Sequence, residues 1–201
     1  MQKTCKQMVA EFHESNGAVI NGGKNGPEVA VLRVRLIIEE YAETLVALHE
    51  NNVVEAADGL TDLLYVIYGT AVSYGVKCRD IFTDPLGRPA TEFERADILR
   101  FARSMMPRLQ RIVVDLVMAP NDCGAALEDL ATCISDAGSR TWGFPMRKIF
   151  EEVHRSNMTK TFAKNTAGGK YGSTNPKGLS YSPPDIAGVL AKASGLAYNN
   201  K

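Results

Sequence analysis

Apolar residues recur every three or four positions along most of the chain, which is the period of an amphipathic α-helix. Two long periodic stretches, residues 28–50 and 53–74, are joined by a connection short enough to force an antiparallel hairpin. Further helices are predicted over 2–15, about 92–118 with a kink at Pro107, about 121–138, 145–160 and 184–194. The valine-rich runs lie inside these helical patterns, so the sequence predicts an all-α bundle.

Glycine, proline, asparagine and serine mark the breaks between these helices. They concentrate in residues 16–27 and 79–92, which we interpret as loops, and in residues 165–184, which are typical of an extended arm. A length of 201 residues suits a single domain with a sizeable core. We therefore treat residues 1–201 as one domain.

Carboxylates interrupt the apolar pattern in both helices of the predicted hairpin. The two acidic stripes are Glu39, Glu40 and Glu43 in the first helix and Glu55, Asp58 and Asp62 in the second. A helix turns about 100° per residue, so the members of each stripe share one face, and the hairpin allows the stripes to face each other. Crowded carboxylates repel unless a cation lies between them, and Mg²⁺, with Mn²⁺ as a substitute, suits oxygen ligands. The alternative is a solvated acidic surface.

The composition of the chain excludes several classes of binding partner and metal site. Lysine and arginine together number 23, as do aspartate and glutamate, so the net charge of zero argues against a stable nucleic-acid partner and fits a small nucleotide better. The four cysteines are scattered without a Cys-x-x-Cys pair, which indicates neither a zinc site nor a disulfide framework. No apolar run is long enough to span a bilayer. We expect a soluble cytoplasmic protein without a membrane partner, located in the host cytoplasm if a phage encodes it.

Three segments together resemble the all-α nucleoside triphosphate pyrophosphohydrolase superfamily, which includes MazG, phosphoribosyl-ATP pyrophosphohydrolase and the dimeric dUTPases. They are Leu36–Glu43 (LIIEEYAE), Asp62–Val66 (DLLYV) and Glu152–Lys160 (EVHRSNMTK). With the Tyr68–Ala71 run (YGTA), they are most similar to the phage and bacterial MazG-like branch. The resemblance covers residues 8–75 and 145–190.

The resemblance implies a MazG-like bundle with a four-helix core, an inserted helical pair at about 76–142 and a C-terminal arm at about 165–201. It implies Mg²⁺-dependent hydrolysis of nucleoside triphosphates to a monophosphate and pyrophosphate by a homodimer or homotetramer. Similarity to phage MazZ-like enzymes points to purine deoxynucleotides, dGTP and dATP, in phage nucleotide metabolism. The alternatives are a phosphoribosyl-ATP pyrophosphohydrolase, a housecleaning hydrolase of noncanonical nucleotides, and a non-catalytic helical oligomer stabilised by metal.

The resemblance also assigns roles to the acidic residues. The family's Glu-x-x-Glu motif falls on Glu40 and Glu43, and its downstream aspartate falls on Asp62. The family's acidic residue three positions before that aspartate is here Gly59, so Asp58 is expected to supply the missing metal ligand, with Glu55 in an outer shell. A carboxylate outside the metal shell would orient or deprotonate the attacking water, and Glu39, followed by Glu40, is the candidate.

The remaining predicted site residues are basic or amide side chains that would contact the substrate. Asn157 and Lys160 would bind phosphates or complete the metal site, and His154 would form hydrogen bonds there. Arg35 precedes the acidic motif and would pair with it or with phosphate, and Lys177 would clamp the triphosphate from the C-terminal arm.

Overall fold

A computed structural model describes residues 2–20, 25–160 and 180–198. The α-helices are α1 (Cys5–Asn16), α2 (Pro27–His49), α3 (Val53–Tyr74), α4 (Arg95–Met118), α5 (Gly124–Asp136), α6 (Met146–Met158) and α7 (Ile186–Ser194). A 3₁₀ turn, Pro120–Asp122, precedes α5, and a π-helical turn, Ala137–Thr141, continues it. These three ranges contain no strand, which confirms the predicted all-α fold.

Helix α3 is the centre of the bundle. It packs against α1, α2, α5, α6 and α7, and most of its 22 residues are buried. A helix that is apolar around most of its circumference can satisfy its side chains only when other helices surround it. The other helices therefore surround α3. A functional side chain on α3 can reach a ligand only through a gap between two of these helices.

The α2–α3 hairpin forms where the sequence predicted it. Pro27 occupies the first turn of α2, a position where its missing N–H costs nothing. The Asn52 side chain accepts a hydrogen bond from the backbone N–H of Glu55 and caps the start of α3, and Gly75 ends α3 in the left-handed conformation. Both helix boundaries agree with the sequence prediction to within one residue.

The later helices differ in detail from the prediction. The helix expected over 121–138 begins only at Gly124, and its last turn widens into the π-helical turn. Helix α4 begins at Arg95 rather than at about 92, and it contains Pro107, where the kink was predicted. Residues 165–179 of the predicted arm, including Lys177, lie outside the described residues, but the predicted terminal helix is present as α7. In the described parts of the chain no helix is long and apolar enough to cross a membrane.

Candidate active site

A close approach of α2 and α3 brings the two acidic stripes together. A Cβ atom on Gly59 would lie 2.9 Å from Thr44 Oγ1 and 3.2 Å from Thr44 Cα, so only glycine fits without displacing its neighbour. The fully buried Thr44 donates a hydrogen bond from its hydroxyl to the Glu40 carbonyl oxygen, 2.7 Å away. Gly59, where the resemblance leads one to expect an acidic residue, is thus the contact between the two helices.

Glu40 is the most strongly perturbed acid of the cluster. Burial raises its pKa from 4.5 to about 8, and the charges of Asp62, Glu43, Asp58 and Glu39 add to the increase. Carboxylates from both helices therefore lie close enough to Glu40 to oppose its ionisation. At neutral pH the cluster retains a proton, and a cation that entered it would favour release of that proton.

Asp62 connects the hairpin to the end of α6. Burial, together with the charges of Glu43 and Glu55, raises its pKa from 3.8 to about 6, although the positive charge of Lys160 opposes the increase. Lys160 follows the last turn of α6. The pKa of Asp62 on α3 thus responds to carboxylates of the hairpin and to Lys160 after α6, and the predicted role of Lys160 remains a prediction.

Glu39 lies at the rim of this cluster. Its Oε1 atom is 3.3 Å from Arg35 Nε, one turn earlier on α2, and both side chains are more than half exposed. An exposed pair of this kind is weak, typically below about 1 kcal/mol, so water or substrate can compete with it. The geometry leaves open the predicted roles of both residues, in activating water and in binding phosphate.

The carboxylates do not form a complete metal shell. Within the described ranges, no group of three or more His, Cys, Asp or Glu side chains is arranged to hold one ion. The chemistry of the donors nevertheless fits Mg²⁺, because the cluster offers only carboxylate oxygens and includes two acids whose ionisation is suppressed.

His154 belongs to a different contact from the one expected. Its Nδ1 atom lies 3.0 Å from the Tyr65 hydroxyl, and its Nε2 atom lies 3.6 Å from a carboxylate oxygen of Glu11 on α1. Burial lowers the pKa of His154, while Glu11 acts in the opposite direction. The ring therefore joins α6 to α3 and α1, and its predicted contact with substrate remains a prediction. Glu11 carried no recognisable sequence signal.

Asn157, the penultimate residue of α6, is buried to 6% exposure, in keeping with a positioned amide. The chain returns to this end of the helix at residues 180–185. Arg155 forms an ion pair with Glu152 and donates hydrogen bonds to Ser182 Oγ and to the Pro183 carbonyl oxygen. These contacts fix residues 182 and 183 against α6, the helix that leads to Lys160.

A second buried polar group involves α2 but contains no carboxylate. Arg33, 4% exposed, donates from Nη2 to Ser73 Oγ at 2.7 Å and approaches His13 Nε2 at 3.5 Å. Burial and the Arg33 charge lower the pKa of His13 to about 4, although a hydrogen bond to the Val19 carbonyl opposes this shift. Sequence analysis missed this group because its residues come from three separate helices.

Comparison with known proteins gives a family match over the range that contains the α2–α3 hairpin. Residues 23–84 match the model of the phosphoribosyl-ATP pyrophosphohydrolase family, a range that contains both acidic stripes. The chain is also 28% identical over 184 residues to "uncharacterized protein L479" of Acanthamoeba polyphaga mimivirus, covering 78% of this chain and 71% of that protein. No solved structure matches.

The family match bears on both fold and chemistry. It spans the helices whose carboxylates raise each other's pKa, and the family's description names a pyrophosphohydrolase. At the level of the family it supports a nucleotide pyrophosphohydrolase type of activity. Together with the all-helical fold, the match over residues 23–84 supports the predicted resemblance to the MazG-like, phosphoribosyl-ATP pyrophosphohydrolase-related superfamily.

Proposed function

We propose that this protein is a Mg²⁺-dependent pyrophosphohydrolase that converts a nucleoside triphosphate into a monophosphate and pyrophosphate. The observation that carries the proposal is that Glu40 and Asp62 are buried among carboxylates of both hairpin helices, so that burial first and these charges second raise the pKa of both, while the charge of Lys160 acts on Asp62. Repulsion between buried carboxylates destabilises a structural core, whereas in a binding site a cation offsets that repulsion and in turn attracts an anionic substrate.

Glu40, Glu43, Asp58 and Asp62 would hold the metal, with Glu55 at the edge of the cluster. When bound, Mg²⁺ neutralises phosphate charge, orients water and stabilises the leaving group. Burial matters here because it strengthens the attraction between the carboxylates and an incoming cation. Mn²⁺ has similar ligand preferences and would substitute.

Glu39 would orient or deprotonate the attacking water, because it lies at the solvent-exposed rim beside the buried carboxylates. Its weak pair with Arg35 would exchange for a water molecule or leave Arg35 to contact phosphate. Lys160 would neutralise phosphate charge from the α6 side, and the buried Asn157 amide would fix an oxygen of the substrate or of the metal shell.

The proposed substrates are purine deoxynucleotides, dGTP and dATP, consumed in phage nucleotide metabolism. This assignment is supported by the resemblance of the Tyr68–Ala71 and Glu152–Lys160 segments to the MazZ-like branch. Two further proposals complete it: the enzyme acts on free nucleotides in the cytoplasm, and it is a homodimer or homotetramer. Phosphoribosyl-ATP is the second candidate substrate, favoured by the description of the matched family.

A pyrophosphate-release assay tests the proposal. Purified protein is incubated with each of the eight common nucleoside and deoxynucleoside triphosphates, with representative noncanonical nucleotides and with phosphoribosyl-ATP, in Mg²⁺ and in EDTA. We expect release of pyrophosphate and monophosphate from dGTP and dATP, abolished by EDTA. Activity confined to phosphoribosyl-ATP or to a noncanonical nucleotide would transfer the function to that alternative. No turnover of any nucleotide, with Glu40→Gln and Asp62→Asn equal to wild type in metal binding, would favour the non-catalytic oligomer.

A further inference from the structure

A groove of about 340 Å³ opens between α4, α5 and the π-helical turn that follows α5. That volume is in the range of small-molecule binding sites. Most residues of its wall are polar or charged, and they include Arg100, Arg108 and Arg140. The groove, which we call the α4–α5 groove, lies in the predicted insertion at about 76–142, to which the proposed function assigns no chemistry. It shares no residue with the acidic cluster.

The α4–α5 groove runs between two antiparallel helices. Near one end, Arg108 Nε on α4 lies 3.2 Å from Asp129 Oδ1 on α5. One turn earlier on α4, Ser104 Oγ lies 3.1 Å from Cys133 Sγ, which is one turn later on α5. Arg100 is one further turn along, where α5 passes into the π-helical turn. The rise of the helix places the backbones of Arg100 and Arg108 about 12 Å apart along its axis.

Trp142, directly after the π-helical turn, forms part of the groove wall. The residue is 3% exposed, and its ring packs edge-to-face on Phe93 and Phe101, with centroids 5.5 Å apart in each pair. Among the described residues, its Nε1–H nevertheless has no hydrogen-bond acceptor. Buried N–H donors are seldom left without an acceptor in folded proteins. An acceptor atom of a bound ligand would satisfy this donor.

Each of the three arginines also has an unused donor group. Arg100 donates from Nη1 to Asp97 at 2.9 Å, and Arg140 donates from Nε to Asp136 at 3.1 Å. Arg108 uses Nε and Nη1, the latter in a 2.7 Å hydrogen bond to a backbone carbonyl oxygen of α4. In the parts of the chain that the structure describes, no hydrogen bond or ion pair engages the Nη2 atom of any of the three.

This set of donors selects an anionic ligand. Guanidinium groups bind phosphate oxygens through paired N–H donors, and an indole N–H can only donate. Asp97 and Asp136 also line the groove and would repel an anion, but their arginine partners are mostly exposed, and such pairs are weak enough for phosphate oxygens to compete. Because Arg100 and Arg108 start about 12 Å apart, they favour a ligand with two charged groups over a single small anion.

We propose that the α4–α5 groove binds a small molecule that carries a diphosphate group. Arg100, Arg140 and the Trp142 N–H bind one phosphate, and Arg108 binds the other. Free pyrophosphate and a nucleoside diphosphate share this chemistry. The inference does not depend on the proposed function, because it involves none of the hairpin carboxylates.

Calorimetric titration in EDTA tests the groove apart from the acidic cluster, which needs a metal ion to accept phosphate. Sodium pyrophosphate, dGDP and inorganic phosphate are each titrated into the metal-free protein at one ionic strength. We expect saturable binding of pyrophosphate or dGDP at one site per chain, and binding of inorganic phosphate that is weaker by about 10-fold or more. The tighter of the first two identifies the source of the diphosphate. Failure of both to bind saturably, or equally tight binding of inorganic phosphate, would overturn the proposal.

Arginine variants locate the bound diphosphate. Arg108→Gln and Arg140→Gln remove a guanidinium group from opposite ends of the groove, and each should weaken binding by about 10-fold or more. Arg111→Gln is the matched control, because Arg111 is an α4 arginine in a similar exposed pair with Asp115 but outside the groove; it should leave binding unchanged. Binding that all three substitutions weaken equally, or that none weakens, would overturn the proposal.

Trp142 is the only tryptophan of the chain, so tryptophan fluorescence reports on this groove directly. A hydrogen bond from its Nε1–H to a phosphate oxygen should change the emission in parallel with the calorimetric saturation. Arg140→Gln should move that change to higher ligand concentration, and Arg111→Gln should not. A ligand that saturates the protein without altering the Trp142 emission would lie elsewhere, which would also overturn the proposal.

Discussion

Helix α2 contributes to two buried polar groups of opposite character, one hydrogen-bonded around Arg33 and one made of carboxylates around Glu40. In the Arg33 group, the guanidinium, the His13 ring and the Ser73 hydroxyl meet within hydrogen-bonding reach, and the ring stays neutral. In the acidic group, Glu40 faces carboxylates and resists ionisation. Both groups are buried at the cost of desolvation; hydrogen bonds offset part of that cost in the first, whereas neighbouring carboxylates add to it at Glu40. The two groups therefore differ in what surrounds the buried side chain, hydrogen-bonding partners around Arg33 and carboxylates around Glu40.

The largest expected effect is on activity, at the acidic group. Glu40→Gln keeps the shape of the side chain but removes a metal ligand, and we expect pyrophosphate release to fall by about 100-fold or more. The same change relieves repulsion, so the melting temperature in EDTA should stay the same or rise. Activity and thermal unfolding measured on one preparation check both parts. A variant that stays active, or one that is inactive because it is unfolded, would contradict the assignment of Glu40 to a binding site rather than to a structural one.

At the Arg33 group the expected effect is on stability. Arg33→Met removes the donor to Ser73 and should lower the free energy of unfolding by about 1–3 kcal/mol, with turnover per folded molecule retained. Arg35→Met is the matched control, because the Arg35–Glu39 pair is exposed; it should change stability by less than about 0.5 kcal/mol. Urea unfolding measures both. Equal effects of the two substitutions would contradict a structural role for Arg33.

A smaller effect is expected at Gly59, whose contact holds the two acidic stripes face to face. A methyl group would overpack this contact by about 1–3 kcal/mol, while the better helix propensity of alanine returns about 1 kcal/mol. Gly59→Ala should thus destabilise by about 1 kcal/mol net and weaken Mg²⁺ binding. Adding Thr44→Ala removes the closest atom, Oγ1, and should recover part of the loss. A Gly59→Ala protein as stable as wild type would show that the helices separate freely.

The pH dependence of stability should have opposite signs at the two groups. Without metal, folded Glu40 keeps its proton up to about pH 8 whereas the unfolded chain loses it near 4.5, so stability falls as pH rises through that window. Folded His13 stays neutral down to about pH 4 whereas the unfolded chain gains a proton near 6.5, so stability falls as pH drops through that window. Each pKa unit contributes at most about 1.4 kcal/mol.

Urea midpoints in EDTA at intervals from pH 4 to 8.5 test these signs. Glu40→Gln should flatten the loss toward high pH, and His13→Asn should flatten the loss toward low pH. If the pH dependence of the urea midpoint is unchanged in either variant, the substituted residue is not the group whose titration changes stability in that pH range.

Local sequence signals predicted the hairpin because every signal agreed. The apolar period predicted helix boundaries that agree with the structure, where Pro27 starts α2, Asn52 caps α3 and Gly75 ends it, and the acidic spacing gave the two stripes. The resemblance added Lys160, which the structure places near Asp62.

Features that depend on distant parts of the chain were not predictable in the same way. The π-helical turn after α5 follows from a shift in backbone pairing that no residue type announces. The Gly59–Thr44 contact and the Glu11–His154–Tyr65 contacts require the helix packing to be known first. Sequence patterns fix which face a residue occupies, but not which residue of another helix it meets.

Calorimetric titration of the metal-free protein with MgCl₂ at pH 7.5, in two buffers of different ionisation enthalpy, tests the central claim most directly. Because Glu40 holds a proton at this pH, we predict that Mg²⁺ binds and releases protons, seen as a binding heat that depends on the buffer. Glu40→Gln and Asp62→Asn should abolish this signal, while Arg33→Met should retain it. Binding that is absent from wild type, or that is the same in wild type and Glu40→Gln, would contradict the account.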